Sequence, residues 1–146
     1  MTVAKLLKHD FTKGDLKLYD SNGKETYFED SDGHWSKREY NSNCNQTYFE
    51  SSNGYWSKSE YDSNGKETYY ENSDGYWVKS EYNSNGNRTY YENSEGYWYK
   101  FEFDSNGKET YSEDSKGTVR DNRPKANCSG KTVTVDGIEY ELKAKK

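Results

Sequence analysis

Aliphatic side chains are almost missing from the middle of this chain. Between residues 19 and 118 the only Val, Leu, Ile, Met or Ala is Val78. A stretch of that length cannot bury an aliphatic core. No apolar run approaches the ~18 residues needed to span a bilayer as a helix, and no basic segment followed by an apolar one opens the chain as a secretion signal would. Proline occurs once, at Pro124, and cysteine twice, at Cys44 and Cys128. So few cysteines exclude a disulfide scaffold. They leave two readings open: free thiols in a reducing cytoplasm, or one bridge tying the C-terminal tail to the array. No HExxH, GxSxG, P-loop or CxxC pattern is present, and the carboxylates recur in like surroundings, whereas a catalytic pair needs unlike ones. The expectation is a non-enzyme with no cofactor and no metal. The DSNG and DSDG turns place glycine fourth, not sixth as in an EF-hand loop, so turn chemistry accounts for them. His9 and His34 are too isolated to suggest a metal site.

What the chain has is 25 aromatic residues and a fixed period. Trp35, Trp56, Trp77 and Trp98, the only tryptophans, are each 21 residues from the next. Five units run in register: 14–34, 35–55, 56–76, 77–97 and 98–118, the first and last degenerate, as terminal caps of repeat arrays are. Within one unit, 56–61 alternates as a strand, 62–65 (DSNG) is a turn, 66–71 is a second strand and 72–75 (NSDG) a second turn. Asx first and Gly last suit a type I turn closed by a left-handed glycine, the usual longer hairpin loop. Alternation places Trp56, Lys58 and Glu60 on one face and Ser57, Ser59 and Tyr61 on the other, with Tyr69 and Tyr70 on opposite faces. The expected fold is mainly β: an antiparallel hairpin array, a meander or a solenoid-like sheet, held by cross-strand aromatic pairs and lysine stems.

The ends differ from the middle. Val3, Leu6, Leu7 and Phe11 fit a short amphipathic helix within a cap over 1–13. Residues 119–130 read as a connector. Residues 131–146 read as a hairpin around Asp136-Gly137, with Val133, Val135, Ile138, Tyr140 and Leu142 on one face, capping the far end, and a basic tail. Strand 98–103 presents Tyr99, Phe101 and Phe103 together, either to pack on that hairpin or to meet a partner.

The net charge of −5 divides unevenly. Residues 19–118 hold 20 acids and 10 bases, and the surplus of bases lies at the ends. Such an array is a poor direct nucleic-acid binder. It suits a basic protein surface, or simply keeps an aromatic sheet soluble.

YDSNGKETYYENSDGYW resembles MORN-variant repeats; within it YDSNG resembles the YD repeat of RHS-type shells, and YYENSDGYW resembles choline- or glucan-binding repeats. The whole unit, EYDSNGKETYYENSDGYW, is similar to small repeat proteins encoded by tailed phages. The phage likeness implies a cytoplasmic, acidic protein in an infected host cell, inhibiting a defence or nucleic-acid-handling factor in the manner of an anti-CRISPR protein. Its partner would be a host protein with a basic surface, with no membrane or direct nucleic-acid contact. The expected contact residues are Trp56, Trp77, Trp98, Tyr99 and Phe101, with Glu60, Glu81 and Glu102 as charged partners. The other resemblances imply a choline, glycan or nucleotide module on the same Trp rows, or a structural spacer.

Overall fold

The computed structural model describes residues 2–124 and 130–143. Eleven strands form one antiparallel meander in which each pairs with its sequence neighbours: β1 (Leu16–Tyr19), β2 (Glu25–Glu29), β3 (Trp35–Tyr40), β4 (Gln46–Ser51), β5 (Trp56–Tyr61), β6 (Glu67–Asn72), β7 (Trp77–Tyr82), β8 (Arg88–Asn93), β9 (Trp98–Phe103), β10 (Glu109–Asp114) and β11 (Val119–Asp121). The sheet does not close. It also has no second layer: Ala4 and Leu16 are the only buried apolar residues among those described. The accessible surface is 10745 Å², against about 7,800 Å² for a compact monomer of this mass. Most of the sheet's aromatic rings are half-buried by their neighbours, while Tyr19, Tyr76, Tyr97 and Tyr99 are exposed.

The turns explain why so thin a sheet holds its shape. In the Asp62 turn the Gly65 N–H donates to the Asp62 carbonyl at 3.0 Å, and the Asp62 N–H donates to the Lys66 carbonyl at 2.9 Å. The Asp62 carboxylate accepts from the Asn64 and Lys66 N–H groups, both at 2.9 Å. This bracket recurs at Asp20, Asp30, Asn41, Asn72, Asn83, Asn93, Asp104 and Asp114. Ser51 is the exception, and there Asn53 accepts the Tyr55 N–H instead. Gly65 sits at φ 78°, and Cys44 holds the same place in its turn at φ 61°.

A bulge beside the DSNG-type turn sets the register. Glu60 pairs with Tyr69 while Tyr61 pairs with Glu67, and Tyr69 then pairs with Lys79. Lys79, not Glu81, is therefore level with Glu60 two strands on, so each unit slips two residues along the strand direction. With ~3.3 Å per residue and ~4.8 Å between strands, the strands tilt by about 35° and equivalent atoms recur about every 12 Å.

The ends depart from expectation. The N-terminal helix α1 (Val3–Leu7) forms, but it buries Ala4 and leaves Leu6 and Leu7 69% and 54% exposed. Its seat is polar: the buried Glu29 carboxylate accepts the Ala4 N–H at 2.9 Å and the Tyr27 hydroxyl at 2.8 Å. At the other end, the first residues of the stretch read as a connector add the edge strand β11. The C-terminal hairpin forms as β12 (Thr132–Val135) and β13 (Ile138–Glu141), a separate two-stranded sheet. Both strands are exposed throughout, so the expected cap, and the packing of strand 98–103 against it, are not built. The alternative of a bridge between Cys44 and Cys128, the middle of the connector and the end of the basic tail lie outside the described residues.

Candidate functional site

The register sorts the side chains into two unlike faces. On one, the inner cross-strand rungs repeat a single order. Glu39, Tyr48, Lys58, Glu71 and Trp77 lie side by side on β3 to β7. One unit on, Glu60, Tyr69, Lys79, Glu92 and Trp98 do the same. On this Trp face, strands β1–β11 carry ten acids and four lysines. The opposite face carries Glu25, Glu67, Glu109 and Asp114 against Lys17, Arg38, Arg88 and Arg120, a balance of zero. The net negative charge of the strands therefore lies on one side of a sheet a single strand thick.

That opposite face is bound by ring contacts and hydroxyls. The Tyr55 and Tyr70 hydroxyls are 3.0 Å apart, and Tyr70 packs on Tyr76 with ring centres at 6.4 Å. Near its far end Tyr91, Tyr99, Phe101 and Phe103 form a continuous chain of rings. Tyr61 reaches across to donate to the Gln46 carbonyl at 3.0 Å.

On the Trp face, tyrosine hydroxyls donate to the glutamate two residues on: Tyr69 to Glu71 at 3.2 Å, Tyr90 to Glu92 at 3.1 Å, Tyr111 to Glu113 at 3.1 Å. Partial burial and these carboxylates raise the phenol pKa values above the usual 10, so the row stays neutral. Most rings are already covered. Trp35 stacks on Tyr27 at 6.4 Å, Lys58 lies 5.2 Å from the Trp56 ring, and Lys100 lies 5.3 Å from that of Trp98. Between these rows run shallow grooves: about 480 Å³ at Tyr27 and Lys37, about 410 Å³ at Tyr48 and Lys58, and about 500 Å³ at Tyr69 and Lys79.

Six of the eight expected contact residues, Trp56, Trp77, Trp98, Glu60, Glu81 and Glu102, share the Trp face. Tyr99 and Phe101 lie on the other, so the eight do not make one surface. The sequence reading passed over Tyr69 and Lys79, which line the largest of the grooves. The 21-residue period could have singled out their columns. Asp30, Asp32 and His34 bring donor atoms within 4.8 Å of one another, but the Asp30 carboxylate is occupied closing its own turn and bonding the His34 ring. Among the described residues no helix is long and apolar enough to cross a membrane.

The chain matches no protein-family model and no curated protein sequence. Among solved structures it is similar to a chain of the Photorhabdus luminescens Tc holotoxin pore, in a form with a mutated TccC3. That likeness has a TM-score of 0.51 at 13% identity and covers 70% of this chain but only 7% of the other. At that identity the likeness shows the fold alone.

Proposed function

We propose that the chain is a non-catalytic protein-binding repeat array whose acidic Trp face takes the basic surface of a partner protein. The observation that carries this reading is the division of charge between two open faces. A coreless sheet needs charge on both faces to stay in solution, yet the acids gather on one, beside a row of grooves. Electrostatic complementarity of this kind steers encounter and selects partners. Proteins that hold nucleic acid carry such lysine- and arginine-rich surfaces, so the finer form of the proposal is an inhibitor that covers one of them in the cytoplasm of a host cell. The self-covering of Trp35, Trp56 and Trp98 weighs against a ladder for small planar ligands.

Affinity capture from bacterial lysate at stepped salt tests this. A stoichiometric basic protein, released as salt rises and displaced by added nucleic acid, is the expected result. Capture that ignores both salt and nucleic acid would overturn the reading.

A further inference from the structure

The tyrosine row of the Trp face is Tyr27, Tyr48, Tyr69, Tyr90 and Tyr111, one per unit. Four of these rings have a partner over them. Tyr27 stacks on Trp35. Lys37 lies 5.6 Å from the Tyr48 ring and Lys79 lies 5.8 Å from that of Tyr90. Arg123 places its guanidinium 4.3 Å from the Tyr111 ring. Among the described residues Tyr69 alone has neither a cation nor a ring against it. It forms part of the groove of about 500 Å³, beside Glu60, Lys79 and Glu81. The reason is local: Lys58 folds back over Trp56 and toward Glu71, while Lys79 leans toward Tyr90 and Glu81.

The fifth unit shows what such a place accepts. Tyr111 and Glu102 stand two units beyond Tyr69 and Glu60. There Arg123 covers the ring and donates to the Glu102 carboxylate at 3.2 Å. The position equivalent to Arg123 two units earlier is Glu81, so the Tyr69 groove has the ring and the first carboxylate, and a second carboxylate in place of the arginine.

We infer that the Tyr69 groove binds an arginine side chain of a partner protein, its guanidinium over the ring and its N–H groups on Glu60 and Glu81. This rests on the protein-binding reading above and specifies its anchor. Guanidinium suits the place because it stacks on an aromatic face and offers two-pronged donors to carboxylates.

The test is titration of the full chain with Nα-acetyl-arginine amide, read by NMR of the tyrosine rings. Tyr69 should respond first, while Tyr48, Tyr90 and Tyr111, already covered by the chain's own cations, stay still. Tyr69→Leu should weaken the remaining response at neighbouring nuclei by about two- to fivefold, the range of an exposed cation–π contact. E81R rebuilds the fifth-unit arrangement and should silence Tyr69. R123A should uncover Tyr111 and make it respond, which keeps the test decisive if E81R fails to fold. A Tyr69 response no larger than that of Tyr48, an unaffected response in folded E81R, a silent Tyr111 in R123A, or an equal response to Nα-acetyl-lysine amide would each overturn the inference. A salt-sensitive basic partner captured equally well by E81R would sink this inference and leave the protein-binding reading standing. A Tyr69 response with no basic partner captured would leave the groove's affinity for guanidinium standing and sink the protein-binding reading, and with it the partner.

Discussion

Replacing Glu29 should release the N-terminal helix from the sheet. Its side chain is only 3% exposed in total residue surface and accepts the Ala4 N–H at 2.9 Å and the Tyr27 hydroxyl at 2.8 Å. Helix α1 has little apolar alternative: it buries only Ala4, and Leu6 and Leu7 are exposed. A hydrogen bond to a charged acceptor contributes about 1.5–3 kcal/mol. Two are lost in Glu29→Ala, and two donors are left poorly paired, so a local loss of about 3 kcal/mol is expected after the freed groups find water. Burial alone would raise the Glu29 pKa. The nearby Thr2 side chain and the hydrogen bonds from Ala4 and Tyr27 outweigh it and hold the pKa below the ordinary 4.5. A carboxyl depressed in the folded state stabilises fully above that ordinary value, and the contribution disappears as pH falls through the lowered folded value. Hydrogen exchange at residues 3–7 measures the opening directly. Protection at these amides, the rate relative to an unstructured amide at the same pH, should fall in Glu29→Ala at pH 7 and, in the parent chain, on acidification below pH ~4, while β5–β8 stay protected. Unchanged protection at 3–7 in both experiments would refute the claim that a carboxylate, and not leucine packing, seats the helix.

Other consequences follow from the turns and the tyrosines. Cys44→Gly should stabilise by ~0.5–1 kcal/mol, because glycine relieves a left-handed φ of 61° at some cost in unfolded-chain entropy, measured by urea titration of tryptophan fluorescence. Asp62→Ala should destabilise by about 1–2 kcal/mol through loss of its two backbone bonds, whereas Ser51→Ala, where no such bracket exists, should cost less. Tyr27, pushed up to about 12 by burial and by Glu29, should remain un-ionised at pH 11 while exposed tyrosines titrate in ultraviolet absorbance. Because its folded pKa is raised, that group's contribution is intact below pH 10 and declines between 10 and about 12.

The repeating hairpins were readable because each determinant is local. Asx at the first turn position and Gly at the fourth write the loop, and strict alternation from Trp56 to Tyr61 assigns the faces. Where an outcome depends on register, the sequence was silent. Alternation counted back from Tyr69 puts Glu67 on the Trp face, but the bulge at Thr68, opposite Glu60 and Tyr61, turns Glu67, like Glu25 and Glu109, to the other side. That single irregularity, repeated, concentrates the charge on one face. The grouping of Tyr99 and Phe101 with Glu102 has a different origin, since alternation along 98–103 already puts them across the sheet from it. The helix misled because its leucines suggested a hydrophobic seat, while the decisive contact is a polar one made 25 residues away in sequence. Arg123 was overlooked because it falls beyond the last clean unit, where the period had ceased to be a guide.

The most direct test of the two-faced account is a comparison of charge reversals on the two faces. Glu60→Lys with Glu81→Lys and Glu102→Lys alters only the Trp face, and Glu25→Lys with Glu67→Lys and Glu109→Lys only the other. Binding of the captured basic partner should be lost, along with its salt dependence, in the first variant and kept in the second, with both folded by circular dichroism. Equal loss in both variants, or loss only in the second, would contradict the assignment of recognition to the acidic Trp face.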